Sequence, residues 1–515
     1  MKVNVIIRKG AFSMNSQYKQ RWWVLASLAF GILAVGLDMT ILNLALPILA
    51  EDMHATNAEL QWFANAYNLV FAAMLLPMGM LGDRIGRKRM LIAGLLIFGA
   101  ASLACAYSTL PWELITARVF LGLGASMLVP LSMAIIPVMF SKKERPKAIA
   151  VWMMANAIGI PFGPILGGWL LNNYWWGSVF IINIPLVILS LIAVTFLLPE
   201  SRSEERRAMD FPGMLLSSIG LIGLTYGVIE AGERGWSDAI TLTSVIAGIL
   251  LLFWFVVYQT RTAQPLVDPS LFRSRSFTGG TLIGSIISFA LFGVLFALPQ
   301  YLRAVLEVDA LSAGLRLLPL VIGLVIGSPI SDALQSRFGT RTAIVLGSLL
   351  LGIGLAMGSA TDISTGYGFT SIWISAVGLG IGFALPAAMD VAISALSPER
   401  SGVGSALLMA IRQVGGTLGV AILGTVLSAV YRNNLNLDEW PADAFEVAQR
   451  NVSAGMAAAR QIGSDSLVHS VKTSFVGGMG NMFWICVGAA VVGIAFTFGL
   501  LKARTVESKH SRTSL

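Results

Sequence analysis

Fourteen runs of mostly apolar residues divide the chain, each near the twenty or so residues that cross a bilayer as a helix. They lie near 22–46, 60–80, 90–107, 112–136, 147–170, 178–198, 211–230, 240–259, 277–298, 313–333, 341–360, 371–395, 405–430 and 476–501. Many end at a proline: Pro47, Pro111, Pro199, Pro299 and Pro398. The pattern predicts an all-α integral membrane protein with fourteen transmembrane helices. The first run is too long for a signal-peptide core and lacks a cleavage site, and Met14 would serve as an initiator as well as Met1. In the long connection 433–474, Pro441 can start a helix, and Phe445, Ala448, Val452 and Met456 recur at helical spacing. Gly463 reads as a stop and Ser464-Asp465 as a new start, so an extracellular helical hairpin is expected there.

Composition removes the soluble alternatives. Of 515 residues, 56% are hydrophobic and 12% charged, half the roughly 25% of an ordinary soluble domain. A soluble enzyme, a nucleic-acid-binding protein and a disordered scaffold are excluded. The net charge of +8 would suggest nucleic acid in a soluble chain. Here lysines and arginines lie between apolar runs, where they mark the cytoplasmic side. With the runs alternating in direction, 26 of the 35 basic residues fall on one side, together with both termini. Only Arg234, Arg303, Arg432, Arg450, Arg460 and Lys472 fall on the other. Cys105 and Cys486 lie in separate runs, and three histidines are too few for a cluster, so no disulfide or metal site is supported. No Gly-Lys-Ser/Thr phosphate loop is present, which excludes an ATP-driven pump and leaves no cofactor expected.

The runs repeat. Ala45-Leu46-Pro47 ends the first and Ala297-Leu298-Pro299 the ninth; Arg84-Ile85-Gly86-Arg87-Lys88 is echoed by Arg337-Phe338-Gly339-Thr340-Arg341. Gly122-Leu123-Gly124 with Pro130 matches Gly378-Leu379-Gly380 with Pro386, and Gly159, Gly163 and Gly168 match Gly415, Gly419 and Gly424. Runs 1–6 therefore correspond to runs 9–14, with runs 7 and 8 inserted. The expected organisation is a cytoplasmic tail (1–21), a six-helix bundle (22–198), a linker with two inserted helices (199–276), a second six-helix bundle with the hairpin (277–501) and a second tail (502–515). Two parallel six-helix repeats describe an alternating-access secondary transporter.

Two motifs stand out. In the first basic connection, Gly79, Gly82 and Gly86 allow close contact and a tight turn, while Asp83 sits among Arg84, Arg87, Lys88 and Arg89 as a latch able to pair across the seam between halves. In the fifth run, Gly159, Gly163, Pro164, Gly167 and Gly168 combine close packing with a bend. Topology alone, or packing alone, is the blander reading of each.

The first motif resembles the signature loop of the major facilitator superfamily, and the second its antiporter motif. Leu37-Asp38-Met39-Thr40-Ile41-Leu42-Asn43-Leu44-Ala45-Leu46-Pro47 is similar to the first-helix signature of its fourteen-helix drug:proton antiporter family, with quaternary-ammonium and dye exporters the nearest likeness. Trp176-x-Ser178-x-Phe180-x-Ile182-Asn183-x-Pro185, Leu271–Phe277 and Ser312–Pro319 look like further landmarks. The chain departs from those exporters where they carry extra acids: it has Asn65, Leu324 and Leu408/Met409.

Asp38, deep in the first run, is the leading functional candidate, because an intramembrane carboxylate is costly and can carry a proton; a structural acid paired with an arginine is the alternative. The resemblance implies that Arg118 sits beside it and modulates its proton; otherwise Arg118 snorkels outward. Asp390 and Arg412 either pair to order the second half or face the pocket. Trp62, Asn65, Tyr67, Trp152, Asn156, Met409 and Gln413 are further pocket candidates, aromatic, thioether and amide groups suiting a large apolar site. The resulting expectation is a monomeric, proton-coupled multidrug efflux antiporter in a bacterial plasma membrane. It would export amphipathic, monocationic drugs or dyes, handle dications poorly, and use no nucleic acid, metal or catalytic residue. The alternatives are a dedicated exporter of one endogenous antibiotic or siderophore, and a non-transporting sensor on the same scaffold.

Overall fold

The computed structural model describes residues 14–140, 144–201, 210–262, 265–396, 401–435 and 441–501. Among them every regular element is helical, as the hydrocarbon environment demands of lipid-facing backbone. The first half contains α1 (Met14–Asp52), α2 (Asn57–Ile85), α3 (Arg87–Ala106), α4 (Pro111–Met139), α5 (Arg145–Asn173), and α6 (Ser178–Ile181) running into α7 (Asn183–Leu197). The inserted pair is α8 (Phe211–Arg234) and α9 (Ala239–Arg261). The second half contains α10 (Arg275–Gln300), α11 (Ala310–Arg316), α12 (Leu318–Phe338), α13 (Thr340–Ser359), α14 (Tyr367–Ser394), α15 (Ser401–Asn434), α16 (Ala442–Ala448), α17 (Val452–Ile462) and α18 (Asp465–Leu500). Twelve helical segments among the described residues are long and apolar enough to cross a membrane. The helices over the second and fifth runs, α2 and α5, are not among those twelve, so fourteen spans remain a proposal.

Polar caps stop and start the helices. Thr56 and Glu59 form a reciprocal capping box at α2, Asp238 accepts from Ile240 and Thr241 at α9, and Ser464 accepts from Leu467 at α18, each satisfying amides that have no helical partner. Gly463 ends α17 in the left-handed region. The last helix thus begins at Asp465, not near 476. Two prolines do not end helices as expected: Pro47 lies inside α1 and Pro299 inside α10. In a bundle, neighbouring groups satisfy the carbonyl that a proline frees.

The two halves repeat each other contact for contact. In the first, α1 packs on α5 and α7, α2 on α4, and α3 on α4 and α7. In the second, α10 packs on α15 and α18, α12 on α14, and α13 on α14 and α18. The paired glycines make these contacts. A Cβ on Gly122 would meet the Tyr67 carbonyl of α2 at 2.5 Å, and one on Gly378 the Leu320 carbonyl of α12. Gly124 and Gly380 sit equally close to the backbones of Phe98 on α3 and Leu351 on α13. Helix α8 lies across the seam between α2 and α15, where Thr425 donates to the Val228 carbonyl at 2.8 Å. Helix α9 turns Ile249, Leu250, Phe253 and Trp254 outward, as lipid-facing side chains.

The halves meet mainly at the end that carries the α16–α17 hairpin. Asn57 donates to Ser428 at 3.3 Å and, through its backbone, to Arg450 at 2.9 Å. Asn451 donates to the Ala55 carbonyl, and halfway along the seam Gln413 donates to Asn68 at 2.6 Å. Among the described residues no hydrogen bond or ion pair joins the halves on the basic side of Asn68 and Gln413. The molecule is therefore clasped at the hairpin end.

Overpacking should expose the glycine contacts. Gly122→Val and Gly378→Val are each expected to lower stability by about 1–3 kcal/mol, read as a fall in melting temperature in detergent. Gly488→Ala, at a position open on all sides, should not lower it. The hairpin offers a pH test. Glu307 accepts from Lys472 at 2.5 Å and from Arg460 at 2.9 Å. The Lys472 hydrogen bond, against some desolvation, and then the two nearby positive charges hold its carboxyl below the usual range. A depressed folded value means the tie is complete above the unfolded pKa of about 4.3 and is lost as pH falls below it. Hydrogen exchange across Val452–Ile462 should stay slow from pH 7 to pH 5 and speed up below pH 4, modestly for so exposed a pair.

Candidate functional site

Asp38 of α1 and Arg118 of α4 are 2% and 1% exposed. Arg118 Nη1 donates to Asp38 Oδ2 at 2.5 Å, and its Nε donates to the Phe63 carbonyl of α2 at 3.0 Å. The guanidinium lies 4.6 Å from the centre of the Tyr67 ring, a cation–π distance. The Asn183 amide of α7 lies near Asp38, and its nitrogen donates to Ser102 of α3 at 3.1 Å. Arg118 does not snorkel; it is buried at the junction of α1, α2, α4 and α7. A buried ion pair is tolerable only when both charges keep further polar partners, and here a carbonyl, an aromatic face and an amide supply them. Chemically, the arrangement is a carboxylate whose counterion can be drawn away or restored by helix movement.

The α5 motif touches this centre from behind. Gly163 and Gly167 pack on Thr40 and Ile41 of α1, and a Cβ on Gly168 would meet the Ala310 carbonyl of α11 at 2.8 Å. One glycine face therefore joins the helix bearing Asp38 to the opposite half. Gly159 lies within α5; the side chains of Pro164 and Asn156 lie outside the described residues. In the basic-end motif, Gly79 and Gly82 lie against Pro130 and Leu131 of α4. Gly86 takes a φ of +130° between α2 and α3, and Arg84 is exposed. Arg87 and Lys88 donate through their backbone to Ser201 and Glu200, at 2.9 and 3.1 Å, and Arg89 lies 3.6 Å from Glu200. The Asp83 side chain lies outside the described residues.

The pocket candidates separate. Tyr67 is buried beneath Arg118 and stacks on Phe71. Trp62 packs on Tyr226 of the inserted α8, because that helix covers its face of α2. Trp152 donates to Ser132 of α4 at 2.9 Å. Asn65 is buried with neither amide atom hydrogen-bonded, one turn from the Asn68–Gln413 bond. Met409 and Arg412 are partly exposed. The pairing of Asp390 with Arg412 is not found. Asp390 is exposed near the end of α14, where Ser394 donates to it at 3.3 Å, and Arg412 Nη1 instead points to Met389 Sδ at 3.6 Å. Met389 and Asp390 are consecutive on α14, and the helical turn carries the carboxylate away from α15.

Residues 28–420 match the family model of the Major Facilitator Superfamily. The chain belongs to that superfamily. It is 31% identical over 499 residues to the tetracenomycin C resistance and export protein of Streptomyces glaucescens, covering 94% of this chain and 93% of that one. It is 33% identical over 444 residues to the methyl viologen resistance protein SmvA of Salmonella typhimurium, covering 85% and 88%. A bacterial homologue of the human lysosomal transporter Spinster, solved inward-facing and unoccupied, shares the fold with a TM-score of 0.67 at 18% identity, over 95% of this chain and 99% of that one.

As a member of the superfamily the chain is a multi-span membrane transporter by fold. Two residues, one beside the buried pair and one at the basic-end motif, escaped sequence reading as functional groups. Asn183 was visible only as part of a landmark, and Glu200 only as an acid after Pro199; spacing along the chain does not reveal which helix ends they meet. The ion pair makes a direct prediction. Arg118→Met should destabilise the protein by about 3–5 kcal/mol by stranding Asp38. The double change Asp38→Asn with Arg118→Met should cost less than the two single changes summed. Strict additivity in detergent melts would show that the two side chains are not coupled.

Proposed function

We propose that this protein exports amphipathic drugs across the plasma membrane in exchange for protons, with both termini cytoplasmic and fourteen spans, and that a single copy suffices. The observation that carries the reading is the enclosed Asp38–Arg118 pair joined through α5 to the opposite half: a titratable carboxylate tied to the element that must move. Protonating Asp38 would release Arg118, loosen α1 against α4 and bias the halves toward rocking. The clasped hairpin end, with no cross-half bond toward the basic end among the described residues, supports an inward-facing state, since the basic side is the cytoplasmic one by charge. The names of the tetracenomycin and methyl viologen relatives support drug export. Methyl viologen is a dication, so a preference against dications rests on this chain's own charges: Asp38 is already occupied by Arg118. We propose substrates with at most one positive charge. The tetracenomycin relative also favours a second reading, export of a single antibiotic; protection against one compound alone in a drug panel would select it.

Asp38→Asn should leave expression intact and abolish drug export in everted vesicles energised by a pH gradient, because the amide cannot titrate. Drug-induced proton release at the unmodified protein's rate would refute the assignment. Asp83→Asn should slow turnover while leaving substrate binding within a few-fold, as a latch that biases conformations by about 1–3 kcal/mol would.

A further inference from the structure

Arg412 lies about 16 Å along α15 (Ser401–Asn434) from its first residue, counting 1.5 Å per residue, within the stretch apolar enough to cross a membrane. A cation at that depth is expensive and normally has a carboxylate or carbonyls around it. Among the described residues Arg412 has no acid. Its hydrogen-bond contact is the Met389 thioether at 3.6 Å, a weak acceptor. Asp332 of α12 and Asp390 of α14 are exposed and form no ion pair with it. Arg118, the other deep arginine, shows what compensation looks like: a carboxylate, a carbonyl and an aromatic ring.

The surroundings of Arg412 are open rather than sealed. Its side chain is partly exposed, as are Met389 and Met409. Its neighbour Gln413 bonds to Asn68 of the opposite half, the cross-half bond nearest the basic end among the described residues. The guanidinium thus stands beside the seam between the halves. Thioethers adapt to flat apolar bodies, and a guanidinium is the side chain best shaped for a carboxylate or phenolate oxygen.

We propose that Arg412 binds an anionic oxygen of the exported molecule, so that amphipathic organic acids and zwitterions are substrates. The inference rests on the export reading above and adds the charge class that Arg412 selects. An arriving acid supplies the counterion that the protein omits, and a dication meets an uncompensated positive charge.

The test is binding of 1-pyrenebutyrate and of its methyl ester to the purified chain in phosphatidylcholine nanodiscs, with empty nanodiscs subtracted and no pH gradient. The unmodified protein should bind the acid about tenfold or more tightly than the ester, the scale of a charge-assisted hydrogen bond. Arg412→Gln should bring that ratio to about one, whatever happens to the ester's own Kd, and Arg412→Lys should keep part of it. Equal affinities in the unmodified protein, or a preference that survives Arg412→Gln, would overturn the proposal. So would loss of the preference when phosphatidylglycerol is added at one third, since the site would then belong to a lipid headgroup. Because no gradient is used, failure of proton-driven export would leave this result standing, and the converse.

Discussion

A helix in hydrocarbon gains nothing by hiding apolar side chains, since lipid tails are as apolar as leucine, so close backbone approach must hold the bundle together. Much of this structure follows from that constraint. Gly122 and Gly124 bring α4 against α2 and α3, and Gly378 and Gly380 bring α14 against α12 and α13 in the same way. Gly415 and Gly419 seat α15 on the carbonyls of Ser285 and Phe289. These contacts leave little room for larger side chains, which makes each half a rigid body. Motion is then confined to the seams, where packing is mixed with replaceable polar contacts such as Asn57–Ser428 and Gln413–Asn68.

Charge inside such a bundle has two contrasting treatments. Arg118 and Asp38 are sealed together within one half, with every neighbour arranged to retain them. Arg412 is placed beside a seam, and among the described residues its hydrogen-bond contact is a thioether. In a low-dielectric interior an uncompensated charge costs several kcal/mol, so the two arginines are not variations on one structural role. The first is a charge pair closed within one half. The second stands next to Gln413, which bonds across the seam.

The motif glycines tie these features together. The α5 face that packs on Thr40 and Ile41 reaches Ala310 on its far side, so movement of α1 near Asp38 is felt at the contact between halves. At the basic end Glu200 ties the start of α3 to the end of the first half through Lys88 and Arg89. That acid anchors the motif loop within its own half.

Order along the chain determined the helical class, the repeat between the first and last six runs, the family, and Asp38 as the leading buried charge. Each of these depends on local hydropathy, on fixed spacing or on a charge where lipid forbids one, and all three survive in a linear string. The helix ends did not follow as well: Pro47 and Pro299 read as stops, although neighbours in the bundle let both helices continue. Tertiary structure alone decided the pairing of charges. Asp390 and Arg412 lie 22 positions apart and seemed equally able to pair or to part. The rotation of α14 that points Met389 at α15 separated them. It decided too that Trp62 belongs to the inserted α8 and that Asn183 and Glu200 matter. Hydropathy says that a helix is buried somewhere; only the packed rotation of each helix about its own axis says which side chains meet.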